Sequence, residues 1–460
     1  MTTSFSGKKA YKHLQVLARE IGPRHGGSEN EAQAARYISR HFRELGLRTK
    51  TLSYPIYSFE DAVARLKTMD GREVSCVALP ITTSTPPRGI TRKTIFLESN
   101  KAASLTPDVR DKIVVMFGSF GGDLQRRFHS YKPAGLVSIQ TGAHQKHLRT
   151  TYKSASRRKI GSVPTVKVTL QDGIKLIKKL PERLNLKVIT QGEGIMRGRN
   201  VVAELGGSKP DDDVVVICAH YDSVWGGPGA VDNGGGAASI MELARIYAEN
   251  GSSCNLRFIA FGGEEMGLWG ANAYIKKLYD EDRRLKADKE FMRDGIRTEL
   301  DKIRLLINLD MMGQLHGNSV AVTLGDSDIA ASARLLACEI GYPIDIKENQ
   351  IYSSDNMAFN YAKIPSISWH RCGFEGFDGH TAGDTIKNCS PEGLAHIGGF
   401  VESWINRFVM SATFPFSREI PQESQKAVDD WFKGRNPLEY EVFGPAKKYK
   451  GHRRTKKKAS

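Results

Sequence analysis

The apolar positions along the chain change period several times, and each change marks an element. Residues 8–21, KKAYKHLQVLAREI, place Leu14, Leu17 and Ile21 at helical spacing, and the following GPRHGG ends that helix. Ser28 with Glu31 three residues on has the spacing of a capping box and predicts a second helix that stops at Gly46. LRTKTLSYPIYSF then alternates as a strand does. From 75 to 195 the texture is mainly β: DKIVVMFGS, AGLVSIQTG and VPTVKVTL read as strands, QDGIKLIKKL as an amphipathic helix, and RLNLKVIT as a further strand. After RNVVAELGG, short apolar runs (VVVICA, LRFIAF, IRLLINL, SVAVTL and IPSISW) mostly alternate with helical segments. That alternation predicts an α/β protein with a mixed central β-sheet flanked by helices on both faces, interrupted by a smaller, mainly-β insertion. Residues 1–74 and 196–412 would then form the main domain, 75–195 the insertion, and 413–460 a C-terminal extension.

Length agrees with more than one core, since 460 residues exceed what a single core usually organises. The net charge of +16 raises the question of nucleic acid, but the last 17 residues, GPAKKYKGHRRTKKKAS, hold eight Lys or Arg and no acid, half of that charge. This run reads as a solvated tail, and HQKHLRTTYKSASRRK at 144–159 as an exposed basic loop. No specific nucleic-acid partner is expected. No apolar run has the length of a membrane span, and the opening residues lack the apolar stretch of a secretory leader, so the expected compartment is the cytoplasm. The six cysteines are scattered without a CxxC pair, which argues for reduced thiols.

The chemistry lies at strand ends. In DDDVVVICAHYD the strand runs through 214–219, so His220 and Asp222 emerge at its carboxyl end, and Asp232 sits in the glycine-rich turn before a helix at 234–248. LRFIAF ends in Glu264 and Glu265, IRLLINL ends in Asp310, and the loop after IPSISWH carries His380. Ligand crevices of open α/β sheets lie at such ends. Three carboxylates and two imidazoles on one rim, with no matching lysines or arginines, would repel unless a cation sat among them. The set suits Zn²⁺, and five ligands with one bridging carboxylate serve two ions, with Asp232 placed as the bridge. Glu264, beside Glu265, is placed to take a proton from water and deliver it to a leaving amine, and Asp222 to accept the other ring N–H of His220. GGPGAVDNGGG has neither the GxGxxG nor the GK[ST] spacing of a phosphate loop.

HYDSVWGGPGAVDNGGG, FGGEEMGLWGANAY, NLDMMG, SSDNMAF and HTAGDT together resemble the five blocks of the co-catalytic zinc exopeptidases, which include secreted microbial aminopeptidases and glutamate carboxypeptidases. The resemblance covers about 198–410, extends more loosely to residues 1–70, and makes 75–195 similar to a protease-associated domain. It implies one zinc held by His220, Asp232 and Asp310, a second held by Asp232, Glu265 and His380, Glu264 as general base, Asp222 as the partner of His220, and a cis peptide after Asp232. It also implies peptide substrates with a free N-terminus, that is, an aminopeptidase. The alternatives are a carboxypeptidase or dipeptidase of the same fold, with Arg371 close in sequence to His380, and a non-catalytic receptor-like scaffold. Two departures stand out: Asn356 where family members often carry histidine, and no certain counterpart of the oxyanion-supporting tyrosine, Tyr352 being the nearest. Oligomeric state is not legible.

Overall fold

The computed structural model describes residues 4–141, 146–149, 162–209, 212–288, 295–373 and 378–433. The expected basic loop falls mostly, and the basic tail wholly, outside them. Among the described residues, sixteen strands form two sheets: β1 (Arg48–Ser58), β2 (Asp61–Thr68), β3 (Glu73–Val74), β4 (Val77–Ala78), β5 (Ile90–Leu97), β6 (Ile113–Phe117), β7 (Gly135–Ile139), β8 (Thr165–Val168), β9 (Arg183–Gln191), β10 (Gly194–Leu205), β11 (Val214–His220), β12 (Asn255–Phe261), β13 (Ile303–Leu309), β14 (Asn318–Leu324), β15 (Ile344–Lys347) and β16 (Ser366–Cys372). The first sheet has the order β1-β10-β12-β11-β13-β16-β14-β15, and the second β3-β2-β9-β5-β6-β7-β8-β4.

The first sheet is mixed: β12, β11, β13 and β16 are parallel at its centre, β1–β10, β10–β12 and β16–β14 pair antiparallel, and the edge strand β15 runs parallel to β14. Every residue of β11 is buried, because helices cover both faces. Val215, Ile217 and Ala219 face one core, with Phe258, Leu14 and Phe42; Val216 and Cys218 face the other, with Phe261, Phe359 and Ile275. Four parallel strands side by side put four carboxyl ends on one edge, which sets the location of the rim described below.

The N-terminal elements form where periodicity places them, with one difference. Ser28 Oγ accepts from the Glu31 amide at 3.1 Å and starts the helix Glu29–Glu44, which ends before Gly46 at φ 78°. The second half of the expected capping box does not form. The Glu31 carboxylate instead accepts from the Arg199 amide (3.1 Å) and guanidinium (2.7 Å) and from the Tyr221 hydroxyl. A fully buried carboxylate gains more from a guanidinium and a phenol than from one further amide, so tertiary partners override the local motif.

The second sheet starts earlier than the change of texture at 75. β2 begins at Asp61 and pairs with β9 over its whole length. In sequence β2 is the short run DAVARLKT, and its pairing with β9 makes it part of the second sheet. Ile113, Val115, Val137 and Ile139 pack on the same core as Tyr54 and Ile56 of β1 and Met266 and Trp269 from beyond β12, so the two sheets share apolar contacts. No helix among the described residues is long and apolar enough to cross a membrane.

Ile217 is fully buried in the central strand. Ile217→Ala is expected to cost about 2–5 kcal/mol, measured as a lower urea midpoint at unchanged m-value.

Candidate metal centre

Each of the four central strands delivers its chemistry as its pairing ends. His220 is the last residue of β11; Glu264 and Glu265 follow β12; Asp310 follows β13; and His380 lies in the loop beyond β16, at φ 54°. Asp232 comes from the turn between β11 and the helix Gly235–Asn250, and the Asp232–Asn233 peptide is cis.

These side chains converge. His220 Nε2 lies 3.3 Å from Asp232 Oδ1 and 3.3 Å from Asp310 Oδ1. His380 Nε2 lies 3.0 Å from Asp232 Oδ2 and 3.2 Å from Glu265 Oε2. Asp232 therefore presents one oxygen to each histidine. Two triads result, His220 with Asp232 and Asp310, and Asp232 with Glu265 and His380, and within each triad the ligand atoms lie inside 4.8 Å of one another.

Electrostatics tests whether these residues fit a cation. Burial pushes the Glu265 carboxyl up to about 8, with Asp232 adding to the rise against the opposing charge of His380. Burial also drives Glu264 well above the carboxylate range; the His220 charge opposes that rise, while Glu265, Asp355 and Asp310 increase it. Glu265 holds His380 up to about 10 against its own burial. Burial works against the charged form of Asp232, but hydrogen bonds with His220 and His380 overcome it and hold the carboxyl low. Among the described residues, Glu265 Oε1 is buried with no hydrogen-bond partner, and Asp310 Oδ1 has only the His220 imidazole beside it. Stripped of a cation, such a set balances its acids only by charging the imidazoles. Mixed carboxylate and imidazole donors with idle buried oxygens fit divalent zinc.

Asp222 faces His220 and has further partners. Its Oδ1 lies 3.5 Å from His220 Nδ1, and its two oxygens also accept from the backbone amides of Glu264 (3.0 Å) and Glu265 (3.3 Å). It thus braces the β12 turn against the β11 end as well as facing the imidazole.

Several supporting residues escape sequence reasoning. Arg24, fully buried, donates to the carbonyls of Tyr221 (2.7 Å), Pro228 (2.6 Å), Gly229 (2.9 Å), Leu17 (2.9 Å) and Gly22 (2.9 Å). Asp384 accepts from the amides of Val231 (2.9 Å) and Asp232 (3.0 Å). Burial pushes its carboxyl up to about 7 against those bonds. The turn bearing Asp232 is thus held through its carbonyls by a guanidinium and through its amides by a carboxylate. Asn233 donates to the Leu309 carbonyl (2.8 Å) and accepts from Met311 (3.2 Å) and Gly236 (2.9 Å), which fixes the chain on either side of Asp310. Asp355 is buried, neither of its oxygens has a hydrogen-bond partner among the described residues, and burial pushes its carboxyl up to about 8. The signals for Arg24 and Asp384 were present only as glycine-flanked residues in GPRHGG and HTAGDT.

Arg371, the arginine nearest His380 among the quoted motifs, is turned inward. It donates to the carbonyls of Gln314 (2.9 Å) and Leu315 (2.9 Å) and to Ser319 Oγ (3.0 Å). Asn356 donates to Asn360 Oδ1 at 3.0 Å within its own helix. Tyr352 stacks on His370 with ring centroids 5.2 Å apart.

Residues 200–405 match peptidase family M28. Aminopeptidase YwaD of Bacillus subtilis (strain 168) is 28% identical over 439 residues, 93% of this chain and 90% of its own length. Carboxypeptidase Q of Bos taurus is 24% identical over 346 residues, 70% and 73% of the two chains. Among solved structures, BSAP, a zinc aminopeptidase from Bacillus subtilis, aligns with a TM-score of 0.71 at 24% identity over 91% of this chain and 98% of that one. A peptidase M28 precursor from Shewanella amazonensis SB2B aligns with a TM-score of 0.70 at 19% identity, over 90% and 95%. At these identities the structural likeness establishes the fold.

Asp384→Asn leaves one oxygen for two amides and is expected to weaken zinc retention by roughly 10–100-fold. Competition with a chelator measures it, with the melting temperature of the metal-free protein separating loss of a brace from loss of the fold.

Proposed function

We propose that this chain, whose residues 200–405 match peptidase family M28, is a zinc metallopeptidase of that family, removes the N-terminal residue of peptides and uses two zinc ions to do so. The observation that carries the two-ion reading is Asp232, whose two oxygens face different histidines at 3.3 and 3.0 Å. His220, Asp232 and Asp310 would hold one ion, and Asp232, Glu265 and His380 the other. Bound zinc supplies Lewis acidity for the scissile carbonyl and acidifies water.

The remaining work falls to the chain. Glu264, whose carboxyl burial has already pushed toward higher pKa, accepts the proton of the attacking water and returns it to the leaving amine. Asp222 keeps Glu264 and Glu265 on the rim through their amides and faces His220 Nδ1. We read the sheet formed by residues 61–191 as the protease-associated-like insertion.

Hydrolysis at the N-terminus is favoured over the C-terminus on two grounds. The aminopeptidase relative aligns over nearly the whole chain, whereas the carboxypeptidase relative aligns over about two thirds of it. Arg371, the arginine close in sequence to His380, is committed to three acceptors of its own and is not available to a terminal carboxylate. A non-catalytic scaffold has no use for five converging ligands with Glu264 beside them.

A peptide panel with free or acetylated N-termini and free or amidated C-termini tests the reading. Acetylation is expected to abolish hydrolysis; a chain that cleaves acetylated peptides and releases their last residue is a carboxypeptidase. Glu264→Gln is expected to retain about two zinc ions per chain by metal analysis while kcat falls roughly 10²–10⁴-fold. Undiminished kcat would remove Glu264 as the base, and a single tightly held ion would contradict the bridging role of Asp232.

A further inference from the structure

One arginine of the second sheet reaches the rim of the metal centre. Gln140, at the end of β7, grips the segment that carries it: its Nε2 donates to the Lys146 carbonyl (3.0 Å) and its Oε1 accepts from the Leu148 amide (3.1 Å). The next residue, Arg149, donates its backbone N–H to the carbonyl of His380 at 2.7 Å. Its guanidinium lies over the Trp225 ring, 5.1 Å from the centroid, and Trp225 is itself held edge-on against Phe59 at 6.0 Å. Trp225 and Gly226 belong to the loop that leaves β11 just after His220 and Asp222. A Cβ at Gly226 would come within 2.5 Å of Arg149 Nη1, so the loop leaves room for the guanidinium where a side chain would stand.

Among the described residues this guanidinium has no carboxylate and no carbonyl to bind. Nε is buried without a hydrogen-bond partner, and burial alone, with no acid to offset it, lowers the guanidinium's affinity for its proton. Arg24, Arg245, Arg257 and Arg371, by contrast, all have acceptors. A planar guanidinium laid on an aromatic face with its fork unspent is arranged for bidentate contact with a carboxylate.

A peptide whose N-terminal residue lies at the zinc ions carries one charge that every such substrate shares, its C-terminal carboxylate. An extended chain advances about 3.3–3.6 Å per residue, so a fixed arginine meets that carboxylate for only one or two peptide lengths. Resting on the aminopeptidase reading, we propose that Arg149 binds the free C-terminal carboxylate of the substrate, so that the preferred substrates are di- and tripeptides rather than long chains.

The test uses the zinc-loaded full chain and di-, tri- and hexapeptides sharing one N-terminal residue, each as free acid and as amide. Wild type is expected to favour the acid over the amide roughly ten- to hundredfold in kcat/KM for a di- or tripeptide, with no preference for the hexapeptide. Arg149→Met is expected to collapse that ratio toward one through a higher KM for the acid, and Arg149→Lys, which keeps the charge without the fork, to restore part of it. Equal handling of acid and amide by the wild type overturns the proposal. So does a Met variant that loses kcat alike on both forms. The released residue is identified in the same reactions: release from the C-terminus would sink the aminopeptidase reading, while the acid-to-amide ratio still decides the role of Arg149.

Discussion

The structure depends on the repulsion between carboxylates that the fold forces into one buried place. Asp232, Glu265 and Asp310 meet within contact distance of two imidazoles, with Glu264 and Asp355 close enough to raise the cost of ionising their neighbours. Burying several like charges costs far more than any single hydrogen bond returns, and only a cation, or protons on the imidazoles, settles the balance. This makes metal affinity a property of the fold. The parallel strands fix where the acids stand, and the ions would supply the charge that those positions lack.

Holding such a set in place requires bracing that does not itself occupy the ligand oxygens. The chain provides it largely through backbone groups. Asp222 takes the amides of the β12 turn, Arg24 the carbonyls of the loop beyond β11, Asp384 the amides of Val231 and Asp232, and Asn233 the peptide groups on either side of Asp310. Each joins segments far apart in sequence, so each ligand-bearing loop is tied to another. The oxygens of Asp232 and Glu265 that face the histidines are left for the site.

The second sheet is more than an appendage. It shares a core with β1 and with the helix after β12, and through Gln140 and Arg149 it touches the His380 loop directly. A module anchored on both sides can present a side chain to the rim at a fixed position, which loops of the main sheet, already committed to the ligands, are not free to do.

Periodicity was enough to mark the central strands of the first sheet, though not the edge strand β15, and motif to single out seven polar residues near their ends, because buried parallel strands are continuous apolar runs and their carboxyl ends are marked by abrupt polarity. The same local signals misread what depends on distant partners. The start of the second sheet at β2 is set by its pairing with β9, and Glu31 looks like half of a capping box until Tyr221 and Arg199 claim its carboxylate. Arg24 and Asp384 are anonymous charges in sequence, and Arg371 cannot be told from Arg149 by type or spacing. Sequence by itself determined which residues the chain offers for chemistry and on which kind of element they sit, since that follows from the order of apolar and polar residues along the backbone. Tertiary structure alone decided which arginine faces inward and which stands at the rim, and which carboxylate braces a loop and which is left for a metal, because those outcomes are set by acceptors contributed from elsewhere in the chain.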